Sequence, residues 1–134
     1  MKGLLIWLCL ATVGFARTDQ LCVRHVVVPG YPRVARMARL QGSVTVRVKI
    51  ASDGTVLEAT GRGANGLLVR ASEDNVRKWV FGRPPLGATV PRNQEVTYAY
   101  TLQGPPEYGE STPTVVLDLP SRVEISARPP EVQP

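Results

Sequence analysis

The sequence predicts an α+β fold: two helices packed on a small antiparallel sheet, followed by one or two extra C-terminal strands. Three observations carry this expectation. Val44, Val46, Val48 and Ile50 alternate with Thr45, Arg47 and Lys49, the period-two pattern of a strand with one dry face. Val96, Tyr98, Tyr100 and Leu102 repeat that pattern against Thr97, Ala99 and Thr101. Between them, Leu68, Ala71, Ser72, Asn75, Val76 and Trp79 fall at the three-and-four spacing of an amphipathic helix. Helix, hairpin, helix and strand in that order stack as layers around one core, and 134 residues are enough for one core but not two.

Residues 1–16 read as an export signal. Lys2 gives a positive start, Gly3–Phe15 is almost wholly apolar, and Gly14 and Ala16 stand at the small-residue positions, which places cleavage after Ala16. Left uncleaved, the run would be a short membrane anchor, below the roughly 20 residues of a comfortable span. Residues 17–30 form a lead-in in which His25–Val28 can add an edge strand before Pro29-Gly30 breaks it.

The domain proper is expected over 31–104. Tyr31–Gln41 reads as a short helix with Pro32 at its first position. Val34, Ala35, Ala38 and Met37 form its apolar side, Arg33, Arg36 and Arg39 face out, and Gly42 ends it. The strand Ser43–Ile50 turns at Ser52-Asp53-Gly54 and returns as Thr55–Thr60. The adjacent Val56 and Leu57 spoil that second arm's alternation and predict a bulge or a short arm.

Gly61–Gly66 is expected to be a loop, Leu67–Trp79 the main helix with Trp79 in the core, and Arg83-Pro84-Pro85 its stop. The strand Glu95–Leu102 closes the domain. Residues 105–134 form an acidic, proline-rich extension in which Val115–Leu119 and Val123–Ala127 alternate as edge strands around Pro120.

The chemistry-bearing residues are sparse. One histidine, His25, excludes any site that needs two, and the spacing supports no catalytic residue set, metal site or cofactor. The Gly61–Gly66 cluster lacks the Lys and Ser/Thr of a phosphate loop. From Arg24 to Gly104 there are 12 Lys/Arg against 5 Asp/Glu, and from Pro105 onward 2 against 5. The arginines are scattered and the chain reads as exported, so nucleic acid is not an expected partner. A membrane is a partner only if the signal stays uncleaved. Cys9 would leave with the signal, stranding Cys22 as a lone thiol or an intermolecular link.

These elements resemble the C-terminal domain of TonB, the periplasmic energy transducer of Gram-negative bacteria. The resemblance rests on Tyr31-Pro32-x-x-Ala35-Arg36, Gln41-Gly42-Ser43-Val44-Thr45-Val46, Asp53-Gly54-Thr55-Val56, and Ala71 with Val76-Arg77-Lys78-Trp79-Val80-Phe81-x-x-Pro84. The final strand completes it. Tyr31, Pro32, Gly42, Asp53, Gly54, Trp79, Phe81 and Pro84 then serve mainly structural roles.

The resemblance implies a periplasmic, non-enzymatic module that binds a protein or peptide. The partner would be a segment of an outer-membrane receptor or another envelope protein, and a homodimer is a further arrangement. Binding would proceed by strand addition along Glu95, Val96, Thr97, Tyr98, Ala99, Tyr100, Thr101 and Leu102, the matching edge strand.

Three departures qualify the transducer role. Gly3–Ala16 has neither the Ser nor the His of an energy-coupling anchor, no long proline-rich spacer precedes the domain, and the chain continues past the family's last strand. The alternative is therefore a structural or regulatory envelope module whose tail caps that edge.

Overall fold

The structure, a computed structural model, describes residues 22–83, 92–109 and 111–131. The leading segment with its cleavage after Ala16, and Pro84, lie outside the described residues. In chain order the elements are β1 Val23–His25, α1 Arg33–Met37, β2 Gly42–Ile50, β3 Val56–Arg62, α2 Gly66–Val76, β4 Val80–Phe81, β5 Arg92–Leu102, β6 Thr114–Asp118 and β7 Arg122–Ala127. The expected α+β fold is present. A five-stranded sheet runs β3-β2-β5-β7-β6, and β1 and β4 pair separately. Pairings β2–β3, β2–β5 and β6–β7 are antiparallel, while β5–β7 is parallel. The sheet is therefore mixed.

Alternation decides which face is dry. Val44, Val46, Val48 and Ile50 of β2, Val96, Tyr98 and Tyr100 of β5, and Val123 and Ile125 of β7 are all buried. Burying such side chains stabilises the fold by about 1.5–3 kcal/mol each. Helix α2 adds Leu68 and Val76, with Trp79 just beyond its end. Its N-cap is Asn65, whose Oδ1 accepts from the N–H groups of Leu67 and Leu68, satisfying donors the helix cannot use itself.

The predicted bulge is real. Lys49 pairs with Glu58 and Ile50 with Val56, so Leu57 is the extra residue and is turned outward. Gly61 and Arg62 continue β3 rather than opening a loop, because Gly61 and Gly63 allow α2 to lie close. A side chain at Gly61 would press within 3.0 Å of Val69.

Helix α1 is shorter than expected, and two details of its reading are corrected. Arg39, with φ 57°, ends it instead of Gly42. Its faces also differ: Val34 and Met37 are exposed, whereas Arg36 is buried at 4%. The one-sided reading assumed water beyond the arginines, but the C-terminal extension packs there and supplies polar backbone for Arg36 to bind.

Candidate partner-binding edge

Glu95–Leu102 was expected to be either an open, partner-binding edge or an edge capped by the tail, and the structure pairs it with the tail. Strand β5 lies inside the sheet. Gly42–Ile50 of β2 covers one side, and on the other Thr97, Tyr98, Ala99, Tyr100, Thr101 and Leu102 are in register with Arg122–Ala127 of β7. The Thr97 N–H donates to the Ser121 carbonyl at 2.8 Å, and the Gln103 N–H to the Ala127 carbonyl at 2.8 Å. Backbone groups alternate along a strand, so Ala99 and Thr101 between them also face β7. Glu95 and Val96 precede the first paired residue, and among the described residues no strand covers that side of them. Proline tolerance suggested two edge strands near Pro120, but only β6 is an edge. Pro120 occupies the turn after β6, and β7 is interior.

The extension is held by more than strand pairing. The Arg36 guanidinium donates from Nε to the Arg128 carbonyl at 2.6 Å, from Nη1 to Gly109 at 2.6 Å and from Nη2 to Glu107 at 2.7 Å. Arg39 reaches the Pro130 carbonyl at 3.2 Å. The extension also closes on itself: the Glu107 N–H donates to the Pro129 carbonyl, and Arg128 pairs with the Glu107 carboxylate at 3.4 Å. A planar fork of five donors suits convergent carbonyls as a lysine ammonium would not. One buried side chain of α1 thus joins the loop after β5 to the segment after β7.

The motif residues build the frame beneath this edge. Gly54, at φ 92°, lets β4 approach: its carbonyl accepts from the Phe81 N–H at 2.7 Å, and an added Cβ would lie 1.9 Å from the Phe81 carbonyl oxygen. The Asp53 carboxylate accepts from the Thr55 hydroxyl and N–H, which hold its pKa below the usual carboxylate range.

Asn75 is a buried hub. Its Oδ1 accepts from Trp79 Nε1 at 3.0 Å and from the Tyr98 hydroxyl at 2.8 Å, while its Nδ2 donates to the Val27 carbonyl at 2.9 Å. This network ties α2, β5 and the lead-in together. Burial raises the Tyr98 and Tyr100 phenols above their ordinary pKa, and burial followed by the neighbouring Tyr100 pushes Tyr31 up to about 12. Tyr31 donates to the Leu40 carbonyl and meets Tyr100 edge-on, so it closes α1 onto β5. Pro32 is the residue before α1, and Gly42 opens β2 at φ 146°.

The two outer edges of the sheet differ. On β3, the Gly61 N–H donates to the Glu73 carboxylate at 2.6 Å and the Ala59 carbonyl accepts from Arg77 at 3.2 Å, so α2 caps that rim. On β6 no such cap is present among the described residues. Cys22, expected as a lone thiol or an intermolecular link, is disulfide-bonded.

Sequence reasoning missed Arg36 and Asn75 as polar anchors. Their signal was available only in part: Asn75 lay on the predicted dry face of α2, where a buried amide demands partners.

Among the described residues no helix is long and apolar enough to cross a membrane. No curated protein and no solved structure matches the chain. The family model described as the Gram-negative bacterial TonB protein C-terminal matches residues 27–102, more than half of the chain. The match runs from the lead-in to the last residue of β5 and stops before β6 and β7. TonB C-terminal domains are periplasmic interaction and transport modules that work on protein partners. With its motif residues arranged as above, this chain belongs to the TonB C-terminal family.

Proposed function

We propose that this protein is a periplasmic protein-interaction module of the Gram-negative envelope whose C-terminal hairpin, β6–β7, occupies the edge at which a partner strand would otherwise add. It is exported through residues 1–16 and carries its TonB-like unit over 31–104 and the capping extension over 105–134. If the leading segment is retained, it acts close to the inner membrane.

The observation that carries this reading is the parallel pairing of β7 with Thr97–Leu102, with Val123 and Ile125 buried in the shared core. An extended segment of an outer-membrane receptor or other envelope protein would need the same N–H and C=O groups. It would compete with a strand tethered to the same chain, at a high effective concentration. While the hairpin is docked, energy cannot be handed to a receptor through this strand.

Titrating the intact protein with an extended peptide copying Arg122–Ala127, and with a scrambled version, tests the reading. Neither should bind the natural protein, and the copy alone should bind an Arg36→Ala variant. Saturable binding of the copy to the natural protein, with shifts at Thr97–Leu102, would contradict it.

A further inference from the structure

Because β7 seals β5, the sheet ends at β6, and the chemistry of that rim suggests its own partner. This step rests on the docked hairpin. On β7, residues 121, 123, 125 and 127 turn their backbone groups to β5, as the Thr97–Ser121 and Gln103–Ala127 bonds require. The groups of Arg122, Glu124 and Ser126 therefore face β6, where they meet Asp118, Val116 and Thr114. The N–H and C=O of Val115 and Leu117 are left pointing outward. Among the described residues nothing bonds to them, in contrast to the rim of β3 under Glu73 and Arg77.

We propose that the outer edge of β6 is a dimerisation surface that takes β6 of a second copy, antiparallel, about a two-fold axis through Val116. Under that symmetry Val115 of each strand stands opposite Leu117 of the other, and each exchanges its N–H and C=O with its counterpart. The partly buried Val115 and Leu117 side chains extend the apolar face across the junction. On the outer face Val116, 55% exposed, meets its own copy.

Charge fixes the orientation. Asp118, the only charged residue of the strand, lies opposite Thr114 and can accept from its hydroxyl. Parallel pairing in register would instead set the two Asp118 carboxylates against each other. Pro113, without an N–H, and Pro120 bound the strand, which leaves this register as the one that uses both outward residues.

Sedimentation equilibrium of the full chain across micromolar to millimolar concentrations, with hydrogen exchange on the same samples, tests the proposal. The natural protein should show a reversible monomer–dimer equilibrium. As it dimerises, the Val115 and Leu117 amides should gain protection. Val116→Lys, at an exposed position, should abolish the dimer without changing the fold, and Leu57→Lys on the capped rim should leave it intact. A monomer at every concentration, or a dimer indifferent to Val116→Lys, would overturn the proposal. Failure of the docked hairpin itself reads differently: the Ala99 and Thr101 amides would then exchange freely in the monomer as well.

Discussion

Replacing Arg36 with alanine is expected to destabilise the protein by about 3–5 kcal/mol and to loosen the C-terminal hairpin first. Three carbonyls, of Glu107, Gly109 and Arg128, each accept a short hydrogen bond from one buried guanidinium, and bonds to a charged donor contribute about 1.5–3 kcal/mol apiece. The sum is tempered because a released extension lets water reach those carbonyls. Arg36→Lys should rescue little, since a single ammonium cannot fork toward three acceptors. Thermal unfolding reads the loss as a drop of roughly 10–20 °C. An Arg36→Ala protein that melts within a few degrees of the natural one would show that the clamp contributes nothing.

Gly54→Ala is expected to be comparably severe for an unrelated reason. The new Cβ would lie 1.9 Å from the Phe81 carbonyl oxygen and 2.9 Å from its carbon, on backbone held at φ 92°. Neither neighbour is a flexible side-chain tip, so β4 must move or the turn must change. Either response breaks the 2.7 Å bond from Phe81 N–H to the Gly54 carbonyl and disturbs Phe81, which is fully buried. A cost of about 3–5 kcal/mol, or failure to accumulate as folded protein, is expected in chemical denaturation. Gly66→Ala is the control: a Cβ there meets nothing within 4 Å and should be neutral or slightly stabilising. Equal behaviour of the two variants would refute the close-approach argument.

Much of the architecture is legible from single residues. Val44–Ile50 and Val96–Leu102 declare their dry faces because a strand's side chains alternate, and helical spacing marks Trp79 as buried, although α2 ends at Val76 before reaching it. The bulge at Leu57 is legible only in part: adjacent Val56 and Leu57 break the alternation, but Leu57 turns outward and does not join Val56 against the core. What alternation cannot disclose is the neighbour. Val123, Ile125 and Ala127 specify that β7 has a buried face, but not that it lies parallel to β5, because register between distant segments depends on tertiary packing. That gap left an open edge and a tail-capped one as alternatives.

Arg36 fails for the same reason. Its three-residue spacing with Arg33 and Arg39 points to water until the extension is placed over it. The family model matches residues 27–102 and so says nothing of the strand that follows.

The account depends on β5 being paired on both sides in the native protein, and residue-resolved hydrogen exchange of the intact chain reads this most directly. The amides of Thr97, Ala99 and Thr101, turned toward β7, should exchange as slowly as those of Val96 and Tyr98, turned toward β2, and Arg36→Ala should accelerate the first group more than the second. Rapid exchange of Thr97, Ala99 and Thr101 in the natural protein, while Val96 and Tyr98 stay protected, would mean that the edge is open.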